Sequence, residues 1–363
     1  MSDDEKGQGD DEQRALPYYD GDVRIDGDSL EFLMRLLDTP APSGFEEPAA
    51  DLVTEYAKDW ADDIHTDPIG NVHVTVNKGA SGPRVMLTGH IDEIGFVVTR
   101  IDDKGLVHFE QVGGWDLSVP VGQRVRILTR NGTLLGTVGK LAAHQLKDRS
   151  KAPTLKDMWI DVGASSADEA KALMRIGDPI VLDTTPHVFP NRRVMSRSVD
   201  DRIGAFIALE VARLAKGSGV EVVALCATRE EIGCIGALPG TYGAQPDEAV
   251  AIDVTWTSDV PGDHAEDSEV GKGPTVTFGA TTRVRIAREL VDVAEQSNID
   301  IQISAAGRHT YTDADSVARA GRGVPVGVVS IPTRYLHSPG ELFALEDAEA
   351  SIDLLHRWAT RER

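Results

Sequence analysis

The chain has 363 residues, with 59 acidic against 37 basic side chains and a formal net charge of −22. That length suits one large domain or two modest ones, with a core large enough to need no disulfide or structural metal. The acid excess argues against nucleic-acid backbones and anionic lipid as partners.

Residues 1–27 are acidic and glycine-rich with little periodic apolar content, which predicts a disordered leader. It opens MSDDEKGQGD, without the basic and apolar regions of a secretory signal. Helical patterning starts at Leu30, Leu33, Leu36 and Leu37, with Asp28 or Ser29 as cap. Ser43 and Glu46 have capping-box spacing before a second helix to about Trp60. Strands follow at Val72–Val76 and Arg84–Thr88, the second running straight into Gly89-His90. From Glu93 to Pro190 the texture changes to short β-rich runs, at Phe96–Ile101, Leu106–Glu110, Arg124–Thr129, Leu134–Val138 and Ile180–Leu182, with one helix near Ser166–Arg175. This reads as a small β-barrel or sandwich inserted into the chain. After Asp200 strands and helices alternate: helix Arg202–Ala215, strands Val220–Ala227 and Ala249–Val254, helix Val284–Ser297, strand Ile299–Ser304, a short helix near Asp315–Ala320, strand Val326–Ile331 and helix Glu346–Thr360. The expected fold is therefore α/β, a mainly parallel sheet with helices on both faces, interrupted by the inserted barrel. The expected division is a leader over 1–27, a catalytic domain over 28–92 and 191–363, and a β-rich insert over 93–190.

Cys226 and Cys234 read as free thiols in a reducing compartment, and no apolar run approaches the ~18 residues of a membrane span. A cytoplasmic protein is expected. Arginine outnumbers lysine 26 to 11, and aspartate outnumbers glutamate 37 to 22. That pattern suits a surface kept hydrated in concentrated salt, so a halophilic source is expected.

Unusual polar residues stand just past apolar strands. His90 follows Val85-Met86-Leu87, Glu230 and Glu231 follow the run ending at Ala227, Asp253 ends Val250-Ala251-Ile252, and His337 comes shortly after Ile331. In open α/β sheets ligands gather at the carboxyl ends of strands, so these residues are placed to converge on one rim, with Asp200-Asp201 as further candidates. Two imidazoles and several carboxylates without a thiolate suit zinc, cobalt or manganese. Five ligand candidates and a spare carboxylate exceed what one ion needs and point to two, with one carboxylate bridging. Such a pair acidifies a bound water and polarises a carbonyl, and the spare carboxylate serves as general base.

The chain resembles the tetrahedral aminopeptidase family, the glutamyl- and leucyl-type dinuclear metallo-aminopeptidases also described as deblocking aminopeptidases or cellulase-like proteins. The resemblance rests on Gly89-His90-Ile91-Asp92-Glu93-Ile94-Gly95, Val199-Asp200-Asp201-Arg202-Ile203-Gly204, Arg229-Glu230-Glu231-Ile232-Gly233, Ala251-Ile252-Asp253-Val254-Thr255 and Arg334-Tyr335-Leu336-His337-Ser338-Pro339. Gly113-Gly114-Trp115 and Thr312-Asp313-Ala314 add support, and the match covers roughly residues 28–360 in order. It implies that His90, Asp200 and Asp253 hold one ion, that Asp200 bridges, and that Glu231 and His337 complete the second. Glu230 is implied as general base and Asp92 as the group orienting His90. It further implies a cis peptide at Asp200-Asp201, short peptides as substrates, and homo-oligomers built from dimers through the insert, up to a hollow tetrahedral dodecamer.

Plainer readings compete. Asp201 can cap the helix starting at Arg202, Asp313 is read as capping the following helix or bracing the site rather than binding metal, and both cysteines can be small core residues. His309 is placed to face the cleft, whereas His65, His73, His108, His144, His187, His264 and His356 lack ligand spacing. Gly271-Lys272-Gly273-Pro274 lacks a phosphate-cradle pattern. Two stretches depart from the family: Cys234-Ile235-Gly236, where Leu-Arg-Gly is commoner, and the polar run Gly307–Tyr311 near the expected position of the substrate side chain. Rival functions are amide or N-acyl hydrolysis on small metabolites, and a non-catalytic metal-stabilised assembly protein. An intact Glu230 argues against the second, and glycoside hydrolysis, which uses two carboxylates and no metal pair, is weaker still.

Overall fold

The computed structural model describes residues 23–145, 148, 151–262 and 268–362. The expected leader lies outside them up to residue 22, as does His264. No helix among the described residues is long and apolar enough to cross a membrane.

An eight-stranded sheet runs in the order Asp63–Thr66, Val72–Val76, Glu221–Ala227, Arg84–His90, Glu248–Thr255, Val326–Pro332, Thr275–Gly279, Gln302–Ala306. The four central strands are parallel. They are buried end to end or nearly so, which is why they read as continuous apolar runs. Their two faces still follow the period of two. Val85, Leu87, Val222, Ala224 and Ile252 join the core beneath the helices Gly27–Asp38, Glu47–Ala57, Val199–Leu214, Val284–Ser297 and Leu345–Thr360. Met86, Val223, Leu225, Ala251 and Val328 join a smaller core under Ala237–Ala244 and Ala314–Val317. The expected α/β layering with helices on both faces is thus the observed one. Helix Val199–Leu214 is the central support, buried from Val199 to Ala212. Truncating Phe206 to alanine in this core costs about 3–5 kcal/mol.

Between residues 95 and 182 the chain closes a six-stranded barrel, in the order Gly95–Ile101, Val107–Val112, Met158–Asp161, Gly132–Lys140, Arg124–Thr129, Pro179–Leu182. It has its own core around Phe96, Phe109, Val125, Ile127, Ile160 and Ile180. A separate three-stranded sheet, His187–Phe189, Arg193–Ser196 and Glu341–Ala344, follows it.

Some elements escape the periodicity argument. Met158–Asp161, which helps close the barrel, has only four residues. Helix Ala237–Ala244 has a sequence, ALPGTYGA, without an apolar stripe. It forms because Gly240 lets its backbone press on Leu225 and Asn71, where a Cβ would sit 2.9 Å from a side-chain atom of each. The Ser43–Glu46 capping box does not form. The Ser43 hydroxyl donates instead to Asp92 Oδ2 at 2.6 Å, and Glu46 Oε1 accepts from the Gly44 and Arg229 amides at 2.7 and 3.1 Å. A tertiary bond to the site has displaced the local one.

Candidate metal centre

The parallel register brings the strand ends together. Ala227 pairs with His90, and Asp253 pairs with Ser330, five residues before Tyr335 and seven before His337. Glycine at 89 is required because the helix that begins at Val199 crosses directly over the strand, and a Cβ there would collide with the backbone of Gly204 and Ala205. Arg229 and His337 are held at φ 56° and 58°. These are left-handed conformations uncommon for such residues, and they turn Glu230 and the His337 imidazole onto the rim. The peptide bond between Asp200 and Asp201 is cis.

Asp200 lies between the two imidazoles. Its Oδ1 is 3.1 Å from His90 Nε2 and its Oδ2 is 3.4 Å from His337 Nε2. Glu231 Oε2 is 3.5 Å from the same His337 nitrogen, and Glu230 Oε2 is 3.8 Å from His90 Nε2. On the other side of His90, Nδ1 faces the Asp92 carboxylate at 3.4 Å and the Asp92 carbonyl at 3.2 Å. Donor atoms of His90, Asp200 and Glu231 lie within 4.8 Å of one another, as do those of His90, Asp201 and Asp253. Asp201 accepts from the His90 and Gly204 amides, each at 3.1 Å, so it caps its helix and pins the His90 strand at once. All seven residues singled out by sequence, His90, Asp92, Asp200, Glu230, Glu231, Asp253 and His337, thus meet in one cluster.

The electrostatics call for cations. Burial and the nearby Asp200 push Asp253 and Glu231 well above the usual carboxylate range, and burial raises Glu230 as well. Burial also raises Asp200, but His337 and His90 outweigh it and hold this carboxyl low. Burial depresses His90, yet Asp200 and Asp92 prevail and hold its imidazole well above its ordinary value. Hydrogen bonding to Asp200 raises His337. No lysine or arginine pairs with Asp200, Glu230, Glu231 or Asp253 among the described residues. Buried carboxylates facing imidazoles without a basic side chain fit hard or borderline divalent ions.

Three supporting groups had no role assigned to them from sequence. Glu341 is buried and accepts the Asp200 amide at 3.1 Å and the His337 amide at 2.9 Å, fixing the two backbones relative to each other. Gly114, in the loop after the barrel strand Val107–Val112, lies against the His337 ring, where a Cβ would make an ordinary contact 3.5 Å from Nδ1. Glu93 is buried against Arg197 at 2.5 Å and Arg202 at 3.0 Å, directly behind the loop carrying Asp92. Spacing gives a partial cue only for Glu341, four residues after His337.

Two plainer expectations need correction. Asp313 makes no capping bond, and neither carboxylate oxygen has a hydrogen-bond partner among the described residues. Cys226 is a core thiol that burial pushes up to about 12. Cys234, by contrast, is partly exposed and lies 3.0 Å from Glu230 Oε1.

Beside His337 and Asp253 a cavity of about 410 Å³ opens between the strands Thr275–Gly279, Gln302–Ala306 and Val326–Pro332. Trp256, Thr277, Ser304, Tyr311 and Leu336 line it, and His309 stands at its wall.

The profile of the M42 glutamyl aminopeptidase family matches residues 70–354. A lysyl aminopeptidase of Pyrococcus furiosus is 32% identical over 336 residues, covering 89% of this chain and 94% of that protein. A TET aminopeptidase from a marine-sediment archaeon of the Thaumarchaeota superposes with a TM-score of 0.87 at 34% identity, covering 92% of this chain and 96% of that one. A Pyrococcus horikoshii TET peptidase, described as assembling into a tetrahedron or a large octahedral shell, gives 0.80 at 30% identity, over 91% and 99% of the two chains.

Proposed function

The chain belongs to the M42 glutamyl aminopeptidase family and is a peptide-bond hydrolase, and from that premise we propose that it removes N-terminal residues from short peptides with two divalent ions, zinc, cobalt or manganese. In this reading His90, Asp200 and Asp253 hold one ion, and Asp200, Glu231 and His337 hold the other. The observation that carries it is the position of Asp200, with one carboxylate oxygen toward each imidazole.

When bound, the ions supply Lewis acidity, polarising the scissile carbonyl and lowering the pKa of the attacking water. Glu230 takes the water proton on its carboxylate and delivers it to the leaving nitrogen. In the metal-free protein burial raises its pKa. Asp92 accepts from the His90 imidazole and fixes its orientation. Substrate side chains are accommodated by the cavity beside His337.

We further propose that the chain works as a homo-oligomer of dimers, with contacts made through the insert at 93–190. The assemblies of the Pyrococcus horikoshii relative support this, as do the exposed Leu173, Ile176, Val188 and Phe189 in and beside the barrel.

The test is a panel of aminoacyl-anilides against N-acyl amino acids, run with chelator and with zinc, cobalt or manganese restored. Anilide cleavage that chelator abolishes and metal restores is expected. Cleavage of N-acyl amino acids alone moves the assignment to acyl hydrolysis.

A further inference from the structure

Glu230 is also one of three potential ligands that converge beside the metal centre. Cys234 Sγ donates to Glu230 Oε1 at 3.0 Å, and one donor atom from each of Glu230, Cys234 and Asp313 lies within 4.8 Å of the others. Asp313 is only 2% exposed. Both its oxygens lack a hydrogen-bond partner among the described residues. No lysine or arginine pairs with it among them. A buried, unpartnered carboxylate facing a second carboxylate is costly unless a proton or a cation sits between them.

We propose that Glu230, Cys234 and Asp313 form a separate, inhibitory site for a thiophilic divalent ion such as zinc or cadmium. The donor set, one sulfur and two carboxylate oxygens, differs from that of the metal centre, which offers nitrogen and oxygen only. Sulfur selects zinc and cadmium over manganese and magnesium. Binding displaces the thiol proton to solvent and forms the metal–sulfur bond, while both carboxylates supply lone pairs. Occupation engages the carboxylate proposed as the general base, so the ion stops turnover without touching the ligands His90, Asp200, Glu231, Asp253 and His337. Partial exposure of Cys234 gives the ion a path in. The inhibition, though not the binding, rests on the peptidase reading.

The experiment has one arm that ignores activity. Cadmium is titrated into the metal-loaded full-length protein while the ultraviolet thiolate-to-cadmium charge-transfer absorbance is recorded, in the wild type, Cys234→Ala, Cys234→Ser and Asp313→Asn. The band is expected in the wild type, lost in both Cys234 variants, and shifted to at least about tenfold higher cadmium in Asp313→Asn. A wild type without the band, or a Cys234→Ala protein with the same band, overturns the site. In the second arm zinc is added beyond the amount that restores anilidase activity, each protein being normalised to its own starting rate. The zinc concentration that halves activity is expected to rise by about tenfold or more in Cys234→Ala. An unchanged midpoint overturns the inhibitory role. Should no anilide be cleaved by any variant, the cadmium arm still decides the site while the peptidase reading alone fails. A thermal melt of Asp313→Asn shows whether that variant is folded, and the wild-type and Cys234→Ser comparison does not depend on it.

Discussion

Asp92 accepts the backbone N–H of Glu230 at 3.0 Å, while the same carboxylate faces His90 Nδ1. It also takes the Glu231 amide at 3.2 Å and the Ser43 hydroxyl. One buried side chain therefore positions an imidazole and the loop bearing both glutamates. Replacing it with asparagine puts an NH2 where an acceptor is needed. Asp92→Asn is expected to weaken metal binding by about 10–100-fold and to lower kcat with it, measured by metal analysis after equilibrium dialysis beside initial rates. Unchanged metal affinity would leave Asp92 a purely structural residue.

Glu230 and Glu231 are adjacent in sequence and assigned different work. Glu231 Oε2 approaches His337 and Glu230 Oε2 approaches His90. Glu230→Gln is expected to keep both ions and lose about 10²–10⁴-fold in kcat. Glu231→Ala is expected to lose metal first and activity as a result. If Glu230→Gln retains full turnover, the proton-transfer step has been assigned to the wrong residue.

Much of this was legible in the chain because strand ends announce themselves. An apolar run too uniform for a surface strand, ended by His90, by Glu230-Glu231 or by Asp253, is a local signal of a residue on the carboxyl rim. Glu341 gives no such signal. It is one acid among 59, and its contribution lies in tying the Asp200 amide, 141 residues away, to the neighbouring His337 amide. Ser43 misled because a capping box is a local pattern, whereas its hydroxyl is claimed by Asp92, 49 residues away in the chain. Asp313 and Cys234 read as ordinary because only the fold sets them against Glu230. Pairwise spacing finds elements and their ends. It does not find what the ends touch.

Removing metal is expected to reverse how pH acts on stability. In the metal-free protein Glu231, Asp253 and Glu341 are raised well above the usual carboxylate value, chiefly by burial. The folded state then binds protons more tightly than the unfolded chain, so stability falls as pH rises from the unfolded carboxylate pKa through the folded one. His90 and His337, also raised, add stability below the unfolded imidazole pKa that is lost as pH climbs through their folded values. Bound cations favour charged carboxylates and neutral imidazoles, which inverts both signs. The gap in Tm between metal-loaded and chelated protein is expected to widen from about pH 5 to about pH 8. A constant gap across that range would count against Glu231, Asp253, His90 and His337 as ligands.

Glu93 is the opposite case. Burial raises it, but Arg197 and Arg202 win and hold the carboxyl below its usual range. Its contribution is present above the unfolded pKa and is lost as pH falls through the folded one. Glu93→Gln leaves two buried guanidinium groups short of a counter-charge and is expected to cost about 3–5 kcal/mol. Denaturant unfolding at neutral pH reads that loss, and the variant is expected to show a shallower acid limb than the wild type.

The net charge of −22 remains mostly outside the site. Asp92, Asp200, Glu230, Glu231 and Asp253 account for five of 59 acids, and the proposed cations would offset much of their charge. The others still outnumber the bases, since the chain carries 59 acidic against 37 basic residues. Repulsion among exposed charges reaches about 10 Å at 0.1 M salt and about 3 Å at 1 M, so added salt removes the long-range part while buried pairs such as Glu93 with Arg202 are little screened. Stability is therefore expected to rise steeply between low and molar potassium chloride, with Tm climbing and the denaturant midpoint moving upward. Potassium sulfate at matched ionic strength separates screening from the general strengthening of burial by excluded salts. A Tm that ignores potassium chloride and follows only sulfate would show that the acidic surface carries little repulsion in the folded state.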